Sequence, residues 1–200
     1  MTRDESLEAL MTTARSEFLR YGFDGTDVNR IARRSGVAPT TFYRWFKDKT
    51  DVFIAVYRRW EARELQSMRR LMAREGSTAA LVEACVAHHR THPIFRRSVR
   101  RLGHEDARVR QALAASRLER LEALKAWIGE PRACDADLGV ELLQFESLVT
   151  VLAEADLGEM GLDDTAARRQ FGVLLGRWRV QPARAANDEV AEPQLSAAPA

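Results

Sequence analysis

Apolar residues recur at the helical period through nearly the whole chain, and no stretch alternates in the manner of a half-buried strand. Leu7, Leu10, Met11, Ala14 and Phe18 fall at i, i+3, i+4, i+7 and i+11, a single buried stripe along one helix. Thr2 and Glu5 stand ahead of it at the spacing of a capping box, in which each side chain satisfies the other residue's free amide. Gly22 is placed to end that helix. Val28, Ile31 and Ala32 form the inward face of a short second helix, with Thr26 or Asp27 as its cap and Gly36 as its stop. Pro39 suits the first position of a third helix, where the amide hydrogen it lacks would have no partner anyway. Phe42 and Phe46, four apart, are the inward side of that helix. Asp48 then caps a longer helix carrying Val52, Phe53, Val56, Tyr57 and Trp60, running to about Arg74.

Five more helices are predicted near 78–90, 93–102, 105–129, 136–157 and 164–179, punctuated by Pro93, Gly103, Pro131 and Gly161. The last of them carries Ala167, Phe171, Leu174, Leu175 and Trp178 on one side. From Gln181 the chain is rich in Ala, Pro and polar residues with almost nothing to bury, so the tail at 181–200 is expected to be disordered. The fold class is all-α.

Composition narrows the function. Two hundred residues can bury a real core, and no segment approaches 18 uninterrupted apolar residues, so no membrane-spanning helix is expected. Cys85 and Cys134 make neither a disulfide framework nor a paired-cysteine zinc site, which points to a reducing compartment. With no secretory signal visible at the start, a cytoplasmic location is expected. Arginine outnumbers lysine 28 to 3, which reflects genome base composition more than mechanism. The formal net charge is only +2, so affinity for a polyanion must come from a local patch.

Such a patch exists. Between positions 25 and 60, Arg30, Arg33, Arg34, Arg44, Lys47, Lys49, Arg58 and Arg59 face Asp27, Asp48 and Asp51, eight minus three giving +5. The same region, at about 27–46, has the layout of a helix-turn-helix, whose second helix enters the major groove. Pro39, Thr40, Thr41, Tyr43 and Arg44 lie mostly away from Phe42 and Phe46. Arg44 can fork onto a guanine edge and the threonine methyls can pack on thymine, while Tyr43 and Lys49 suit phosphates. Asn29 and Arg30 complete the candidate DNA-contacting set.

Ile31-Ala32, Gly36-Val37-Ala38, Thr41-Phe42-Tyr43-Arg44-Trp45-Phe46 and Lys49 together resemble the N-terminal DNA-binding domain of the TetR family, over about residues 6–57. The resemblance implies a helix-turn-helix domain at 1–50 and a helical effector-binding and dimerisation domain at 51–180. It implies a homodimer on a palindromic double-stranded operator, most such proteins being repressors released by a small-molecule effector. Asp27 stands where the family usually has a serine or threonine, Ala38 replaces a serine cap, Thr40 a frequent glycine and Trp45 a common histidine. These departures leave the fold intact and alter the base readout.

Cys85, His88, His89 and His92, at i, i+3, i+4 and i+7, share about one quadrant of a helix with Leu81 and Val82. Three readings stand open: a metal-sensing site, a polar wall of an organic-ligand pocket, or surface residues where Pro93 breaks the helix. No metal and no cofactor is expected, and the four are carried as candidate pocket residues with Trp60, Met68, Phe95 and Trp127. Arg96-Arg97 and Arg100-Arg101 form a basic face that is either solvated or built for an acidic ligand. By resemblance, Leu142, Phe145, Val149, Phe171, Leu174, Leu175 and Trp178 are the candidate dimer surface. No Gly-x-Ser-x-Gly elbow, P-loop, dinucleotide glycine pattern or His-Glu-x-x-His is present, so an enzyme is not expected. A non-switching architectural DNA-binding protein is the alternative.

Overall fold

The computed structural model describes residues 2–128 and 135–178. These form α1 (Arg3–Tyr21), α2 (Val28–Ser35), α3 (Pro39–Tyr43), α4 (Lys49–Met72), α5 (Thr78–His89), α6 (Pro93–Glu105), α7 (Ala107–Ile128), α8 (Asp135–Glu154), α9 (Asp156–Glu159) and α10 (Thr165–Trp178), with no strand among the described residues. The tail from Gln181 and the break at Pro131 lie outside them.

The local signals act as their chemistry requires. Thr2 Oγ1 accepts the Glu5 amide at 3.2 Å while Glu5 Oε2 accepts the Thr2 amide at 2.7 Å, closing the capping box of α1. Asp27, not Thr26, caps α2 by accepting the Arg30 amide at 2.8 Å. Asp48 and Ser77 cap α4 and α5 in the same way. Two boundaries differ from the pattern. Gly103 does not end α6; it lies inside the helix, where an added Cβ would stand 2.5 Å from Leu113 Cδ1. Its role is close approach of α7. The helix expected at 136–157 breaks at Ala155, whose φ of 61° is left-handed, and a short α9 follows. Arg90 donates to the carbonyls of Leu152 and Ala153, satisfying α8's free C-terminal end.

Two apolar cores result, and neither divides at residue 50. The first joins α1–α3 to the first half of α4 and then to Phe95, Val99 and Leu102 of α6 and Val109 and Ala112 of α7. The second joins the end of α4 to α5, α8 and α10. An aromatic run threads the first: Phe18 to Phe53 at 5.1 Å, Phe53 to Phe95 at 5.3 Å, Phe95 to Trp60 at 5.4 Å. Polar contacts fasten the same seam. The Phe23 amide donates to Ser98 Oγ at 3.0 Å, Arg101 pairs with Asp24, and Arg108 pairs with Asp48 at the start of α4.

Gly22 sits at this seam with φ 72° and ψ −174°, a region essentially reserved for glycine. An added Cβ would meet Ser98 Oγ at 2.9 Å and Ile94 Cγ2 at 3.0 Å. Gly22→Ala is therefore expected to cost about 1–3 kcal/mol and to lower Tm by several degrees in thermal denaturation. An unchanged Tm would mean that α1 and α6 do not press together here.

Candidate nucleic-acid interface and effector chamber

α3 is five residues long and has no side-chain cap, because Ala38 offers no oxygen. It is held instead by Phe42, which is completely buried, and by Phe46 against it. Its other side chains point outward: Pro39, Thr40 and Arg44 are exposed, Thr41 is half-buried, and Tyr43 is 59% exposed. Arg33, Arg44 and Lys47 are exposed and make no ion pair among the described residues. The patch is smaller than the count along the sequence implies. Glu17 of α1 lies beneath α2 with 1% of its surface exposed, and accepts Arg30 Nε at 2.7 Å, Arg34 Nε at 3.1 Å and Thr26 Oγ1 at 3.0 Å. Arg30 also lies 4.4 Å over the Tyr21 ring. Lys49 departs further from the phosphate role: its Nζ donates to the carbonyls of Phe23 and Thr26 and lies 4.1 Å from the Phe23 ring centre. It fastens the turn before α2 to α4.

A chamber of about 140 Å³ lies between α4, α5, α7, α8 and α10. Leu65, Met68, Met72, Trp127, Phe145 and Trp178 supply its apolar wall. Its polar end is a set of arginine–carboxylate pairs. Glu64 accepts Arg96 at 2.6 Å and His88 Nε2 at 3.0 Å, and Arg96 lies 4.7 Å over Trp60. Burial works to raise the Glu64 carboxyl, but the His88 bond and the Arg96 charge outweigh it and hold the group below its usual value. Arg120 forks onto Glu61 at 2.5 and 2.7 Å and reaches Glu146 at 2.5 Å. Desolvation pushes the Cys85 thiol up to about 12, so it is inert at neutral pH. Desolvation, with Arg96 and Arg100 nearby, drives His89 down to about 3, so its ring is neutral; its Nε2 stands 3.3 Å from Thr150 Oγ1.

Residues 10–56 match the sequence model of bacterial regulatory proteins, tetR family. The chain thus carries a TetR-family DNA-binding domain at its N-terminal end. Among curated proteins none matches it in sequence. Its fold is that of a protein from Mesorhizobium loti assigned to the TetR-family transcriptional regulators (TM-score 0.61, 13% identity, 89% of this chain and 96% of that one). It also superposes on the fatty acid degradation regulator FadR from Bacillus halodurans (TM-score 0.55, 19% identity, 86% and 95%). FadR from Bacillus subtilis, solved with stearoyl-CoA, aligns with TM-score 0.54, 14% identity, and 84% and 97% coverage. The chain is thus a DNA-binding transcriptional regulator, and among its described residues no helix is long and apolar enough to cross a membrane.

In this regulator Trp60, Met68, Cys85, His88, His89 and Trp127 are brought together in the chamber wall. His92 and Phe95 are not. His92 lies past the end of α5 with φ 56°, and Phe95 is fully buried in the first core. Among the described residues no three His, Cys, Asp or Glu are placed to hold a metal ion. The expected dimer surface is corrected: Leu142, Val149, Phe171, Leu174, Leu175 and Trp178 are each buried within the subunit, and half-buried Phe145 stacks between Phe171 and Trp178. A helical apolar stripe marks a buried face without saying whose atoms bury it. Three carboxylates escaped the sequence reading, although a signal was present. Glu17, Glu61 and Glu64 stand at i+3 or i+4 from Ala14, Tyr57 and Trp60, continuing apolar stripes where a charge needs a buried partner.

His89 binds a proton far more readily unfolded, near 6.5, than folded, near 3, so stability is lost as pH falls below about 6.5. Glu64, held low in the fold, adds its loss only at more acid pH. His89→Gln should flatten the decline of unfolding free energy between pH 7 and 5 by up to about 1.4 kcal/mol per pH unit. Denaturant titrations at pH 7, 6 and 5 check this; parallel slopes for the two proteins would refute it.

Proposed function

We propose that this regulator is a homodimeric repressor that leaves a palindromic operator when a small molecule fills its C-terminal chamber. The observation that carries the reading is that one helix serves both ends. α6 places Arg96 in the chamber wall and Ser98, two residues on, against the Phe23 amide next to the DNA-binding domain. A ligand that displaces Arg96 from Glu64 moves the same helix on which Gly22 and Phe23 rest. The two DNA-binding domains then change spacing and no longer fit successive major grooves.

The residues at the DNA follow from exposure. Asn29, Thr40, Tyr43 and Arg44 are free to approach the duplex, with Pro39 and Thr41 flanking them. Arg30 keeps one face for phosphate while Glu17 fixes its direction. Lys49 acts chiefly by holding the turn. The partner subunit fits the outer side of α8 and α10, where Val140, Leu143 and Val173 are about half exposed in the subunit. That FadR from Bacillus subtilis, a protein of this fold, was solved with stearoyl-CoA supports an organic ligand here.

Selection of binding sites from a random duplex pool tests the reading. An enriched palindrome is expected; strong, salt-sensitive binding without enrichment would favour an architectural protein and overturn it. On the enriched site, Arg44→Ala should cost about 1–3 kcal/mol and relax preference at one base pair, whereas an equal loss on random duplex would assign the residue to phosphate. Leu143→Glu should give a monomer in sedimentation velocity. A dimer that survives it places the interface elsewhere.

A further inference from the structure

A second space adjoins the chamber. It is a cleft of about 610 Å³ between α4, α6, α7 and α8, and Trp60, His89, Arg96, Arg120 and Glu146 line both spaces. The two differ in chemistry. The chamber's far wall is apolar, while the cleft adds Arg100, Arg110 and Arg117. Glu146 is the only carboxylate among the described residues lining the cleft, and it is already engaged by Arg117 at 2.9 Å and Arg120 at 2.5 Å. Arg100 is paired with Glu154 at the margin. Arg110 has no carboxylate partner among the described residues; its guanidinium reaches only the His104 carbonyl at 3.2 Å.

Trp60, which lines both spaces, carries a further polar group. The Trp60 indole N–H is buried, in a residue 5% exposed, and has no hydrogen-bond acceptor. A buried donor left unpaired costs about 1–3 kcal/mol. Thus an apolar space and an under-neutralised arginine pair lie on either side of one shared wall.

We propose that the joined chamber and cleft bind an amphipathic acid, its apolar body among Met68, Trp127 and Phe145 and its anionic head against Arg110 and Arg117. The head is a carboxylate or a phosphate, both of which the guanidinium fork fits with paired, charge-assisted bonds. A cationic head is disfavoured by the arginines, and a neutral one gains nothing from them. The proposal deepens the effector reading above and rests on it only for the consequence of binding, not for binding itself.

The test uses four probes with one eight-carbon chain: octanoate, octyl phosphate, octanol and octylamine, titrated calorimetrically into the full-length protein. Octanoate or octyl phosphate is expected to bind at least tenfold more tightly than octanol, with octylamine weakest, and whichever anion is tighter identifies the head. Arg110→Ala/Arg117→Ala should weaken the anion at least tenfold and leave octanol as it was. Arg63→Ala/Arg70→Ala, which removes the same charge from exposed positions on α4, should keep the anion's affinity. Equal binding of octanol and the anions, full affinity in the Arg110/Arg117 variant, or no binding of any probe would overturn the proposal. Loss of the selected operator is followed separately. An anion that binds through these arginines yet releases no DNA leaves the site standing and removes the effector reading.

Discussion

Phe95 has none of its surface exposed, and its ring lies 5.3 Å from Phe53 and 5.4 Å from Trp60. Through Phe53 it reaches Phe18 beneath the helix-turn-helix, and through Trp60 it reaches the wall of the ligand spaces. Closely packed interiors transmit displacement because they have no slack to absorb it. Packing of these rings is thus the constraint on which the other features depend: the seating of α6 on Gly22, the spacing of α4 from α7, and the shape of the chamber. A DNA-binding domain cut at residue 50 would leave Phe18 without Phe53 and remove about half of the first core.

Charge is arranged on the same plan. Glu17, Glu61 and Glu64 are each buried or nearly so, and each is met by arginine. Burying an ion pair seldom adds net stability, but removing one partner leaves an uncompensated charge and is severely destabilising. Such pairs therefore fix register more than they add strength. Arginine suits this because its fork engages both carboxylate oxygens, as Arg120 does at Glu61. The excess of arginine, ascribed from the sequence to base composition, has a structural use that lysine would serve less well.

Most of the helical frame was legible because capping boxes, glycine stops and apolar periods are local. Thr2, Asp27, Asp48 and Gly36 act within four residues of themselves, and the sequence prints those distances. Lys49 and Phe95 show what local patterns cannot supply. The lysine looks like a phosphate ligand until the carbonyls of Phe23 and Thr26, more than 20 positions away, are brought beneath it. Phe95 looks like a pocket aromatic until α4 and α1 close around it. The stripe on α8 and α10 was correctly seen as buried and wrongly given to a second subunit, since periodicity carries no address. His89 and Cys85 line the chamber, yet their protonation depends on packing that spacing does not encode.

Three of the four tryptophans, Trp60, Trp127 and Trp178, ring the chamber, and the fourth, Trp45, stands beyond α3 with its indole 3.4 Å from Ser6. The protein is thereby labelled at both of its working ends without any chemical modification. Trp127 donates to the Trp178 carbonyl and Trp178 to Glu141, so any occupant that shifts α7 against α10 changes the polarity and quenching of two emitters together. Trp45, under the Arg3 guanidinium at 4.9 Å, senses α1 and the segment after α3 instead. Exchanging Trp45 for phenylalanine would leave an emission spectrum that belongs to the chamber alone, and ligand arrival could be followed optically while duplex is present.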